Sequence, residues 1–169
     1  IWKLLAEAPE FAGADTSSVR CLYSGGAPLP TWIAELYQRR GLVFKQGFGM
    51  TEVGVNCFAM TVEDSLAKLG SIGKPMMHTE VRLVGADGRD VPAGDVGAPH
   101  VSLGYWNRPE ATAESYVAGG WFRSGDLARC DDEGFFTIAG RAKEMIISGG
   151  VNIYPAEIEA VLLQHPGVR

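Results

Sequence analysis

Of the charged residues between 120 and 159, Asp126, Arg141, Lys143 and Glu144 stand among glycines and short β-rich runs. Asp131, Asp132, Glu133 and Gly134 separate the run DLARC from FFTIAG. That composition is hairpin chemistry, with a glycine where positive φ is expected. A hairpin folded there sets Asp126 and Arg141, near its two open ends, side by side. Such a pair can be a plain surface ion pair. It can also clamp a neutral, polyhydroxylated ligand such as a ribose, the carboxylate accepting from two hydroxyls and the guanidinium donating.

Positioning these groups falls to the elements before them. Residues 1–8 read as a helix stopped near Pro9, and 19–24 as a short buried strand broken by Gly25 and Gly26. Leu29, Trp32, Ile33, Leu36 and Tyr37 recur at three- and four-residue steps and predict one apolar helix face. Pro28 and Pro30 open that helix, and Arg39, Arg40 and Gly41 close it. Leu42 to Gln46 is a second strand, so the unit is βαβ with parallel strands. Two glycine-rich turns, one at 24–27 and one at 47–49, fall at the carboxyl ends of those strands, where open α/β sheets bind ligands.

The character changes near Lys68. Residues 79–84 alternate as a strand, 85–88 make a turn, 109–116 form a short helix with Pro at its first turn, and short strands follow. Residues 155–163 are a helix with Pro at N1, acids in its first turn and an apolar face of Ile158, Val161 and Leu162. The strand at 79–84 needs a neighbour for its backbone groups, yet PAGDVG runs into APH with no apolar stretch between. No apolar run marks the neighbour that strand needs. The small apolar residues of the run at 53–60 suit a pocket for a hydrophobic ligand.

Composition narrows the class. The chain has 169 residues, enough for a core, with 46% apolar and 21% charged residues. A net charge of −5 without a basic stripe argues against nucleic acid as a partner. No apolar run approaches membrane-spanning length. Cys21, Cys57 and Cys130 are odd in number and lack a CxxC pair, which suits a reducing cytoplasm rather than a disulfide framework. The sequence opens inside a helical pattern without a cap and closes on a helix exit that normally leads into a further strand, so a piece of a larger protein is expected.

The order WFRSGDLA, GFFTIAGRAKE and ISGGVNIYPAEIE over residues 121–159 resembles the adenylate-forming acyl-CoA synthetases, the superfamily of firefly luciferase and of peptide-synthetase adenylation domains. The resemblance implies an α/β fold: the C-terminal part of the large adenylate-forming domain, then the start of a small α+β domain. It divides the chain into an α/β sheet portion at 1–67, a β-rich, barrel-like subdomain at 68–141, and a hinge with the start of the C-terminal domain at 142–169.

The family's aromatic-Gly-x-Thr-Glu motif falls on Phe48, Gly49, Met50, Thr51 and Glu52. Alone, Thr-Glu after a glycine reads as a helix start. Through the resemblance, Phe48 offers a stacking face, Gly49 lets backbone approach a nucleotide, Thr51 bonds a phosphate and Glu52 holds Mg²⁺. Gln46 and Gly47 lead into the motif, and Gly25, Gly26, Ala27 and Pro28 form a thin wall against adenine. Asp126 becomes the ribose carboxylate, Arg141 reaches the ribose and phosphate side of ATP or AMP, and Ile138 packs nearby. Lys143 matches the interdomain hinge, and Ser148, Gly149 and Gly150 the loop along the coenzyme A channel. The implied reaction joins a fatty or aryl carboxylic acid to CoA through an acyl-adenylate. A carrier-protein acceptor and a non-catalytic nucleotide-binding fragment are the alternatives. The family's Ser/Thr/Gly-rich phosphate loop and late catalytic lysine do not occur in these residues, so little activity is expected from them alone.

Overall fold

The computed structural model describes residues 1–85, 90–97, 102–148, 151–163, 165, 167 and 168. Helix α1 (Trp2–Glu7) ends at a 3-10 turn over Pro9–Gly13. Strand β1 (Leu22–Ser24), helix α2 (Thr31–Gln38) and strand β2 (Phe44–Gln46) form the expected unit, and β1 pairs parallel to β2 with Ser24 opposite Gln46. The first strand is shorter than the sequence suggests and is not buried: Tyr23 points to solvent. Packing lies behind it. Phe11, Leu29, Ile33, Tyr37 and Phe44 make one core, with Trp2 edge-on to Phe44 at 4.9 Å and Tyr37 edge-on to Phe44 at 5.0 Å.

Strand β3 (Phe58–Ala59), helix α3 (Val62–Ala67) and strand β4 (Lys74–Pro75) follow, and β3 pairs antiparallel to β4. A capping box starts α3: the Thr61 hydroxyl accepts from the Asp64 amide, and the Asp64 carboxylate accepts from the Thr61 amide.

Strand β5 (Glu80–Val84) pairs antiparallel with β6 (Asp90–Gly97), the neighbour it needs and that no apolar run marks in the sequence. The partner strand was hidden because its sequence, DVPAGDVG, carries little apolar alternation. Backbone pairing holds it instead, since β6 also meets β8 (Trp121–Phe122) at Val96 opposite Phe122. Helix α4 (Pro109–Ser115) leads into β7 (Tyr116–Val117), and the sheet order is β5-β6-β8-β7. The turn expected at 85–88 lies, after Gly85, outside the described residues.

Strands β9 (Asp126–Cys130) and β10 (Phe136–Arg141) form the predicted hairpin, with Gly134 at φ +84° in its turn. The register slips by one residue between Ile138 and Gly140, a bulge that leaves Arg141 opposite Asp126. β11 (Ile146–Ser148) pairs with β12 (Val151–Ile153), and α5 (Pro155–Leu162) follows. The apolar face foreseen on α5 is exposed at Ile158, Val161 and Leu162. Among the described residues the sheets are open and no barrel closes. Val53, Cys57, Phe58, Ile72, Phe122 and Phe136 form a second core beneath the hairpin.

Candidate nucleotide site

The two glycine turns meet. Gly47 donates its amide to Ser24 O at 2.8 Å, and a Cβ on Gly25 would lie 3.2 Å from Gly47 O. Gln46 buttresses the first turn, its Oε1 accepting from the Leu29 amide at 2.8 Å. Gly26 takes φ +81°, while Ala27 and Pro28 continue the turn toward α2. The turn at 25–28 is thus packed against the start of the turn at 47–49.

Phe48 turns inward. Its carbonyl accepts from the Cys57 amide at 2.8 Å, and its ring stands edge-on to Phe58 at 5.7 Å. Gly49 has a reason to be glycine besides ligand approach: a Cβ there would sit 2.2 Å from Val55 O. The chain's own tight turn, closed by Met50 N to Gly54 O at 3.1 Å, excludes any side chain. Thr51 and Glu52 occupy that turn rather than a helix start, with Thr51 exposed. The run at 53–60 is divided: Val53, Cys57 and Phe58 are buried in the second core, while Val55 is 98% exposed.

The hairpin completes the site. Phe48, Ser124, Asp126 and Ile138 line one concavity together with Val81 and Phe136, of about 290 Å³ with its open side included. Ile138 therefore serves both readings, packing on the second core and facing the concavity. Asp126 Oδ1 pairs with Arg141 Nη1 at 3.1 Å, so the ion pair exists. Asp126 Oδ2, however, is buried and has no hydrogen-bond partner among the described residues. An unpaired carboxylate oxygen is costly where water is excluded. Burial accordingly raises the Asp126 carboxyl above its usual value, opposed by Arg141 and by the Ser124 hydroxyl. Arg141 also donates to Ser124 O at 2.8 Å, which fixes its guanidinium over the open end of the hairpin. An orphaned acceptor beside an anchored donor, next to an aromatic ring, can accept from and donate to the hydroxyls of a ligand.

Two residues near the site take roles that the sequence did not signal. Burial, countered by a backbone hydrogen bond and reinforced by the nearby Asp126, pushes the Cys57 thiol up to about 11 and keeps it protonated. Tyr105 Oη donates to Glu52 Oε1 at 2.6 Å, and that bond raises the phenol above its usual value. Neither shows in any periodic pattern, as Tyr105 and Glu52 are 53 residues apart. Among the described residues no group of three or more His, Cys, Asp or Glu could hold a metal. A lone carboxylate such as Glu52 fits Mg²⁺ carried on phosphates, which keeps water and takes only one or two protein oxygens.

Lys143 is exposed in the turn that leaves β10, where Glu144 N bonds Arg141 O at 3.0 Å. Ser148 ends β11, exposed; Gly149 and Gly150 lie outside the described residues. No described helix is long and apolar enough to cross a membrane.

A family model described as AMP-binding enzyme matches residues 1–106. A feruloyl-CoA synthase from Amycolatopsis sp is 47% identical over 174 residues, covering 100% of this chain and 35% of the synthase. A long-chain-fatty-acid–CoA ligase of Mycobacterium tuberculosis is 42% identical, over 99% of this chain and 34% of the ligase. The O-succinylbenzoate coenzyme A synthetase of Bacillus subtilis, in complex with ATP and magnesium ion, superposes with a TM-score of 0.86 at 38% identity, over 99% of this chain and 36% of that one. The chain thus spans about a third of the length of the relatives it matches.

Proposed function

The chain belongs to the AMP-binding enzyme family, and from that premise we propose that the complete protein is an ATP-dependent acyl-CoA ligase for a fatty or aryl acid. In the first half-reaction a substrate carboxylate oxygen attacks the α-phosphorus of ATP, the bond from that phosphorus to pyrophosphate breaks, and acyl-adenylate is formed. In the second, the CoA thiolate attacks the acyl carbon and AMP leaves.

The carrying observation is the buried, unpartnered Oδ2 of Asp126 in the concavity shared with Phe48 and Ile138. Asp126 accepts from the ribose hydroxyls while Arg141, held by Ser124 O, donates toward the ribose and phosphate side. Gly25, Gly26, Ala27 and Pro28 wall the adenine. Thr51, exposed beside Glu52, bonds a phosphate oxygen. Glu52 would supply a carboxylate oxygen to Mg²⁺, whose charge would offset that developing on the α-phosphate and the leaving pyrophosphate. Residues 1–67 and 68–141 belong to the nucleotide-binding body, and the chain swings at Lys143 between half-reactions. Ser148, Gly149 and Gly150 flank the CoA channel.

The complete enzyme, given a panel of cinnamic, benzoic and fatty acids with ATP and CoA, should release AMP and form thioester with at least one of them. Release of AMP with no acid-dependent thioester on any acid, or no AMP release at all, refutes the reading.

A further inference from the structure

From the contacts around Glu52 we infer that Tyr105 is a positioning residue, whose hydroxyl fixes the Glu52 carboxylate so that its second oxygen is presented to the nucleotide-borne divalent cation. The inference rests on the assignment of Glu52 to Mg²⁺ made above.

One loop grips Glu52 at both ends. The Ser102 amide donates to Glu52 O at 2.6 Å, and Tyr105 Oη donates to Glu52 Oε1 at 2.6 Å. A glutamate in a surface turn samples many rotamers, and freezing them when a ligand arrives opposes binding. A neutral phenol on one oxygen selects a rotamer beforehand without cancelling the carboxylate's charge, whereas a lysine there would compete with the cation. Outer partners that orient a metal-ligating carboxylate act in this way.

The loop is itself built rather than loose. Tyr105 N donates to Thr112 Oγ1 at 2.9 Å, and the same hydroxyl donates to Arg108 O at 2.9 Å, which ties the loop to the first turn of α4. Ser102 Oγ and Tyr116 Oη lie 2.6 Å apart. Gly104 adopts φ +135°, and a Cβ on it would stand 2.6 Å from Thr112 Cγ2, so the loop can lie this close to α4 only with glycine there. Tyr105 therefore reaches Glu52 from a fixed platform.

The test uses the complete protein with Mn²⁺ as probe and a non-hydrolysable ATP analogue, following bound Mn²⁺ by electron paramagnetic resonance. Metal-free binding of the analogue is measured alongside. Tyr105→Phe keeps the ring and removes the donor. It should weaken Mn²⁺ about three- to tenfold while leaving metal-free nucleotide affinity unchanged, a split that a merely structural role does not produce. Glu52→Gln is the second arm. If Glu52→Gln weakens Mn²⁺ and Tyr105→Phe does not, or Tyr105→Phe strengthens it, the positioning role fails and the Glu52 assignment stands. If Glu52→Gln leaves Mn²⁺ binding unmoved, the assignment fails and the inference falls with it. Equal loss of metal and metal-free nucleotide binding in Tyr105→Phe also overturns the inference.

Discussion

Asp126→Ala in the complete enzyme separates a ribose receptor from a structural ion pair. A hydrogen bond to a charged group contributes about 1.5–3 kcal/mol, which is about 10- to 150-fold in nucleotide affinity at 1.4 kcal/mol per decade. Little of that loss should come from a stranded partner, because Arg141 is 52% exposed and keeps its 2.8 Å bond to Ser124 O. The fold should survive, since the truncation removes a carboxylate that is only 9% exposed, whose charge burial already disfavours and whose Oδ2 has no donor among the described residues. Calorimetry with AMP and with 2′,3′-dideoxy-AMP decides the matter. The unaltered enzyme should discriminate strongly between the two nucleotides, and the variant should bind both alike, so that the coupling is confined to carboxylate and hydroxyls. A variant that still prefers AMP by the original factor, with its fold intact by circular dichroism, refutes the ribose assignment.

Other perturbations probe the frame. Lys143→Pro fixes φ near −65° and displaces Ala142 from helical geometry, so pyrophosphate exchange and adenylate-to-CoA transfer should diverge; equal losses in both would show that Lys143 is no hinge. Phe58→Ala removes the ring that meets both Phe48 (5.7 Å) and Phe136 (5.2 Å); it should cost about 3–5 kcal/mol of stability in urea unfolding, and a loss below 1 kcal/mol would mean that this core collapses around the gap. Lys68 Nζ, with help from the Phe135 amide, holds the Asp131 carboxyl below its usual value. Its stabilising share is therefore full above the ordinary carboxylate range and is lost as pH falls through the lowered folded value. Lys68→Met should flatten that acid limb of the melting temperature, and an unchanged limb would rule the pair out as its source.

What the sequence made legible was local. The hairpin, the parallel βαβ unit and the helices at Thr31–Gln38 and Pro155–Leu162 all rest on turn chemistry or short-range periodicity. Asp126 and Arg141 were found because one tight turn carries them together. Strand β6 was missed because pairing between two neighbouring strands asks for backbone, not for alternating apolar side chains. The run at 53–60 could not be apportioned from sequence, because apolarity alone does not distinguish a lining from a core: Val53, Cys57 and Phe58 are core, and Val55 is exposed. Tyr105 gave no sign, since a loop that folds back over a distant turn leaves no spacing rule. Gly49 was noticed for the right property, but its crowding is against Val55 O of its own turn.

The bulge in the β10 strand carries a further consequence. In a regular strand, residues three apart point to opposite faces, so Ile138 and Arg141 could not both serve the same side. The one-residue slip makes that odd interval behave as an even one: Ile138 stands opposite Ala128, and Arg141 opposite Asp126. Gly140, at φ +154° with nothing within 4 Å of an added Cβ, is the residue whose backbone permits it. Space is not what restricts that position; conformation is. A valine there would favour sliding the ladder back into a regular register, with Gly125 facing the guanidinium and position 140 facing the carboxylate. The partnership of two charged side chains is thus guarded by a residue that has none, and a substitution touching neither charge can dissolve it.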